Sequence, residues 1–344
     1  MAERAVFCYN TSMKKLFFLT LSFLLGFSAF AADSEPLLLI NPSRETFIHF
    51  PTAVLEQAPT VTVFLPEPAV PLRGRYPVVY LLGVGPKAAT AAQQALARAQ
   101  HKAILVGVQT EEKAWEDPEK ISTFFGRELL PYIELNYPTI DEPAARGVAA
   151  HGAAYSKALA ALLQRKDTFA RAAVLDGGET PVSLAGSSAQ LRMWIGGART
   201  QAVVWQQTLL EQGRSYGPGF VLRVEEGKSL PEALDLDYLF APESELKVKK
   251  LRGEIFPATL SLQTQEAATL ALRAQLSGGK QFDYIPLTLK LSPMYLQWEV
   301  ADGTLRPLSG AQPGKVKISV QADKAVLRVK SSLKNKQKTH FWHF

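Results

Sequence analysis

Cysteine is nearly absent, Cys8 being the only one in the chain, which excludes a disulfide scaffold and any cysteine-built metal site. Histidine is scarce as well. His49, His101, His151, His340 and His343 are scattered, with no H-x-x-x-H or H-x-E spacing, so the sequence predicts no metal centre and no cofactor. Neither sign of charge is in large excess: 38 Lys and Arg face 32 Asp and Glu, a net charge of +6. No basic run interleaved with aromatics follows one helix, which argues against a nucleic-acid partner. Long apolar runs are missing beyond the first thirty residues, so no later segment suits a membrane span. What is present is a core-forming composition, 47% hydrophobic and 20% charged, over 344 residues. That length accommodates two domains of about 100–200 residues each.

Residues 1–31 read as a secretory signal peptide whose natural start is Met13. Lys14 and Lys15 supply the positive region, Leu16–Phe27 the apolar stretch, and Ala29-Phe30-Ala31 a small-x-small cleavage site. The apolar stretch is shorter than the roughly 20 residues of a spanning helix, and no cysteine follows it to carry a lipid. The expectation is an exported bacterial protein, periplasmic or secreted, with no transmembrane segment after cleavage.

Residues 32–242 alternate continuous apolar runs with helical patterns. Strands are predicted at Thr60–Leu65, Tyr76–Gly83, Ala103–Gln109, Arg146–Ala150, Ala172–Leu175, Leu191–Ile195 and Phe220–Val224. Helices are predicted at Ala88–Gln100, Ile121–Asn136, Ala153–Arg165, Gln201–Gln212 and Leu230–Phe240. Runs of this kind mark strands covered on both faces, hence an α/β, doubly wound sheet. After a charged linker at 243–250, residues 251–344 switch to period two. Leu287/Leu289/Leu291 and Val316/Ile318/Val320 alternate with polar neighbours, and Asp302-Gly303 and Pro313-Gly314 mark turns. This predicts an all-β, Ig-like antiparallel sandwich.

Three stretches of the first region carry a family likeness. Tyr76–Gly83 reads YPVVYLLG, Phe125–Thr139 reads FGRELLPYIELNYPT, and Arg146–Gly177 reads RGVAAHGAAYSKALAALLQRKDTFARAAVLDG. Over about residues 37–242 the chain resembles the α/β-hydrolase esterases that include esterase D, feruloyl esterases and enterochelin esterases. That resemblance implies a serine on a sharp strand-to-helix turn, followed by Asp and His on later loops. Here the serine position falls on Gly152, the Asp position on Thr200 and the His position on Ser229. No histidine lies between residues 152 and 339, where the family's base belongs, and glycine offers no nucleophile. The His-Gly pair beside the family's oxyanion hole is replaced around Gly83. No Ser, Cys or Asp side chain is expected within hydrogen-bond reach of a histidine at the turn. Gly83, His151, Tyr155 and Asp176 are expected to line the old pocket, under a loop carrying Trp115, Glu116 and Asp117.

The end of the chain is basic. Lys315, Lys317, Lys324, Arg328, Lys330, Lys334, Lys336 and Lys338 stand against Asp323 alone. Lysines on an edge strand discourage edge-to-edge pairing, but they also suit an anionic partner. Lys330, Lys334, Lys336 and Lys338 are the candidate basic face, with an envelope protein or an anionic polysaccharide or lipid as the expected partner. The leading expectation is an exported, non-catalytic esterase-like protein serving as a binding or scaffolding module. One alternative is an active carboxylic-ester hydrolase with a relocated site. A second is a carbohydrate-binding protein using exposed aromatics among Tyr284, Tyr295, Trp298, Phe341 and Trp342.

Overall fold

The computed structural model describes residues 38–334 except 42–43, 48, 67–73, 166, 179–182, 225–226 and 323. The predicted signal peptide, together with Lys336, Lys338, Phe341 and Trp342, lies outside the described residues. Leu38–Asn41 (β1), Arg44–Phe47 (β2) and Thr60–Phe64 (β3) pair antiparallel at one end of a large sheet. Val78–Leu82 (β4), Ile104–Gln109 (β5), Arg146–His151 (β6), Arg171–Leu175 (β7), Arg192–Gly197 (β8) and Phe220–Val224 (β9) continue it as parallel strands. Their spatial order is β3-β5-β4-β6-β7-β8-β9. Every residue of β4 is buried, as are all but the last of β5 and β6, which fits strands covered by helices on both faces.

The helices are Ala89–Arg98 (α1), Pro118–Phe124 (α2), Leu130–Asn136 (α3), Ala153–Leu163 (α4), Arg199–Glu211 (α5), Leu230–Ala233 (α6) and Leu236–Phe240 (α7). The helix expected at Ile121–Asn136 starts earlier, because the Asp117 side chain accepts the Lys120 N–H at 3.0 Å and caps it. It then passes through a π-helical turn at Phe125–Leu129, where Pro131 has no N–H to continue an α-helical ladder. The helix expected at Leu230–Phe240 splits. Leu234 is extended, and Asp235 opens a second helix by accepting the Tyr238 N–H at 2.9 Å. Phe124, Leu159 and Trp205 pack against one face of the sheet, and Leu96, Leu230 and Leu239 against the other.

The remaining strands are Val248–Phe256 (β10), Thr259–Ser261 (β11), Ala268–Leu276 (β12), Gln281–Asp283 (β13), Lys290–Ser292 (β14), Leu296–Glu299 (β15), Thr304–Pro307 (β16), Gly314–Ala322 (β17) and Ala325–Lys334 (β18). β12 shows the alternation the sequence predicts: Ala268, Leu270, Leu272, Ala274 and Leu276 are buried and every second residue between them is not. Across 243–250, read as a linker, the structure has a 3-10 turn at Glu243–Glu245 and the first residues of β10. The main sheet also continues across this point. Asp283 of β13 pairs with Leu222 of β9, and β12, β16 and β15 follow, with β10 along the other side of β12. A second sheet, ordered β11-β18-β17-β14, faces this extension. Leu251, Leu270 and Leu272 of one sheet share a core with Val316, Ile318 and Leu333 of the other, and that core runs on to Val79 and Trp194. An entirely antiparallel sandwich is not what forms: β11 lies parallel to β18.

Candidate functional site

Sharp turns leave the carboxyl ends of β4, β6, β7 and β8 along one edge of the parallel sheet, where ligands bind in open α/β sheets. Gly152 sits between β6 and α4 with φ 87° and ψ 160°. This is a backbone region essentially restricted to glycine. Its N–H donates to Leu175 O at 2.8 Å, and a Cβ added there would meet nothing within 4 Å. The turn is therefore tight in backbone and open toward solvent. Ser156, one turn into α4, does not reach that opening. It is buried and donates to Gly152 O at 3.1 Å and Gly177 O at 2.9 Å, closing the turn from beneath.

His151 and Asp176 end β6 and follow β7, two neighbouring strands in register at His151↔Leu175. Their side chains approach, Nε2 to Oδ2, at 3.4 Å, and both are partly exposed. Against the expectation of no Asp within hydrogen-bond reach of a histidine at the turn, the two groups come to ion-pair distance. Asp176 has φ 49°, uncommon for a residue with a side chain, and its Oδ1 accepts the Ala198 N–H at 3.2 Å. Asp176 thus also holds the loop after β8, the role of a carboxylate bonding to nearby backbone.

Gly83, with φ 75°, directs its N–H to Val108 O at 2.8 Å. An added Cβ there would lie 2.5 Å from Cζ of Tyr155, so the Tyr155 ring covers Gly83. Trp115 is buried with its ring centroid 5.3 Å from that of Tyr155 in an edge-on contact, so it closes the pocket instead of overhanging it. Thr200 is exposed in the first turn of α5. Ser229 precedes α6 without capping it, and its buried hydroxyl has no hydrogen-bond partner among the described residues. The structure gathers Gly83, His151, Gly152, Tyr155 and Asp176 around one turn, whereas Thr200 belongs to the start of α5 and Ser229 to the approach to α6.

Two clefts flank this edge without being lined by Gly152, His151 or Asp176. One of about 260 Å³ lies between Leu55–Gln57 and the loop bearing Glu116 and Asp117. Another of about 510 Å³ lies between Arg199 of α5 and the β10, β12 and β13 strands. There, burial pushes the Arg199 guanidinium below its ordinary value, against the opposing pull of Asp283 and Asp302. Arg199 Nε donates to Val300 O at 3.0 Å and its guanidinium stacks 5.8 Å from the Trp298 ring. Trp298 also donates to Pro286 O and Tyr284 to Gln321 O, so both rings are tied into the fold. No group of three or more His, Cys, Asp or Glu suited to a metal ion occurs among the described residues, and no helix among them is long and apolar enough to cross a membrane.

Of the candidate basic face, Lys330 and Lys334 lie on β18 beside Lys315 and Lys317 of β17. The sequence reading missed Lys290, which β14 adds to the same sheet through Lys290↔Ser319. Lys290 alternates with Leu289 and Leu291, but that pattern does not say that its strand lies beside β17.

Among solved structures, the fold is similar to a ferulic acid esterase from Anaeromyces mucronatus, at 14% identity and TM-score 0.40, over 58% of this chain and 86% of that one. It is similar to the BES protein from Bacillus cereus, at 15% identity and TM-score 0.43, over 61% and 98%. It is also similar to the enterobactin esterase from Shigella flexneri, at 14% identity and TM-score 0.42, over 59% and 56%. No curated protein matches the sequence. The family model described as "Putative esterase" matches residues 52–227, a span holding β4 through β9 and the turn at Gly152. That match covers just over half of the 344 residues, and the chain belongs to this esterase family, with an α/β-hydrolase-like fold built on a mixed sheet.

Proposed function

We propose that this chain is an exported bacterial member of the esterase family that performs no ester hydrolysis and serves as a binding or scaffolding module in the cell envelope. The observation that carries the reading is Gly152 at the strand-to-helix turn, where a covalent acyl intermediate would need a nucleophilic side chain. Two further features support it. The Gly83 N–H is committed to the sheet, and the Tyr155 ring covers the position where an oxyanion donor would face a substrate. In this reading the β-rich region, read from sequence as an Ig-like sandwich, is the interaction part of the module.

One observation favours a second reading. The His151–Asp176 approach could position a water for attack on a bound ester, giving a hydrolase with a non-standard site. Steady-state hydrolysis of p-nitrophenyl acetate by the purified chain separates the two. A rate equal to buffer is expected. A rate above buffer that disappears in His151→Ala overturns the proposal in favour of the second reading.

A further inference from the structure

The outward face of the second sheet carries charge of one sign. In β17 the buried residues are Val316, Ile318, Val320 and Ala322, so Lys315 and Lys317 stand on the opposite, exposed side. In β18 the exposed positions include Arg328, Lys330 and Lys334. The register aligns five cations in rows, Lys290–Ser319–Arg328, Ser292–Lys317–Lys330 and Lys315–Ser332–Thr259, and sets a sixth, Lys334, opposite Ser261. Lys317 lies directly opposite Lys330. Neighbouring strands are about 4.8 Å apart and same-face residues along a strand about 7 Å, so six cations crowd a small area. None of the outward positions in these rows carries a carboxylate, and among the described residues none of the six makes an ion pair.

Like charges placed directly opposite across a strand pair oppose sheet formation. Edge protection explains lysine on a strand with a free edge, but Lys317 sits where β17 is paired on both sides, to Ser292 of β14 and to Lys330 of β18. Its charge, directly opposite that of Lys330, therefore calls for another account. Five of the six are lysines, compact and strongly hydrated point charges that suit diffuse attraction better than bidentate recognition of one anion. The face is a broad array with Ser, Thr and Gln between the cations, and no aromatic side chain on these rows offers a platform for sugar rings.

We infer that this face docks the protein on a membrane surface rich in anionic phospholipid headgroups. The inference stands independently of whether the turn at Gly152 is catalytic. The test is co-sedimentation of the full chain with vesicles of phosphatidylcholine containing phosphatidylglycerol, and with phosphatidylcholine vesicles alone. Binding is expected only to the anionic vesicles, and it should weaken as salt rises from low ionic strength past about 0.15 M, where the screening length is about 8 Å. Each lysine near an anionic surface contributes about 1 kcal/mol, so the Lys317→Gln/Lys330→Gln variant should partition about 30-fold less. Lys315→Gln/Arg328→Gln should lose a similar factor, which guards against a folding defect in one variant. Lys249→Gln/Lys250→Gln, exposed lysines of β10 outside this sheet, should lose less than about 3-fold. Three results would overturn the inference: equal binding to neutral vesicles, equal loss in the face and β10 variants, or binding to soluble dextran sulfate with none to anionic vesicles. The last would assign the face to an acidic polysaccharide.

Discussion

Replacing Gly152 by alanine isolates the backbone of the turn from any chemistry. With φ 87° and ψ 160°, the residue occupies a region where a side chain costs of order 1–3 kcal/mol. Steric crowding adds nothing, because a Cβ at this position would meet no atom within 4 Å. Gly152→Ala should therefore lose about 1–3 kcal/mol, a shift of roughly 5- to 150-fold in the unfolding equilibrium. Gly152→Ser should lose the same amount, since the strain comes from the Cβ and the hydroxyl points into open space. It should also fail to hydrolyse p-nitrophenyl acetate, because the sequence has no histidine between 152 and 339 to serve as the family's base. Urea unfolding followed by tryptophan fluorescence measures the loss. Gly74→Ala is the control: this exposed glycine has ordinary φ and open surroundings, so the change should be neutral or mildly stabilising. If Gly152→Ala proves as stable as wild type while Gly74→Ala behaves as expected, the turn is not held in the glycine-only region and the reasoning fails.

Gly83→Ala should cost more than Gly152→Ala, because positive φ is compounded by a contact 2.5 Å from the Tyr155 ring; adding Tyr155→Ala should recover part of the extra loss in a double-mutant cycle. Arg192→Leu should destabilise by about 3 kcal/mol in urea unfolding, since the buried Nη1 donates to the carbonyls of Tyr238, Leu239 and Ala241 and ties β8 to the end of α7. Burial pushes the Asp237 carboxyl up, but the His101 N–H, Lys280 and the Gln100 N–H outweigh it and hold it below the ordinary range. A carboxyl lowered in the folded state adds stability above its unfolded value near 3.9 and loses it as pH falls through the folded value. The stability gap between wild type and Asp237→Asn should accordingly be full at pH near 6 and shrink toward pH near 3; a gap that is constant or widens on acidification would contradict this.

The buried parallel strands were legible because runs such as Val78–Leu82 have no polar alternation, and a strand covered on both faces permits none. The turn at Gly152 was legible because it lies inside a quoted likeness and because glycine is the residue such a backbone requires. The continuation of the sheet from β9 into β13 was not, since it depends on one register pair, Asp283↔Leu222, between segments about 60 residues apart. The parallel pairing of β11 with β18 was hidden for the same reason: period two shows which face is buried, not which strand lies alongside. The His151–Asp176 approach arises from the relative register of β6 and β7 and from a positive φ at Asp176, neither of which composition or spacing encodes.

The claim that this family member has no nucleophile at its turn is tested most directly by intact mass spectrometry after incubation with a fluorophosphonate, which forms a covalent adduct with an activated serine. The account predicts an unmodified mass for wild type and for Gly152→Ser alike. A stoichiometric adduct on the wild-type chain, mapped to any serine, would contradict it.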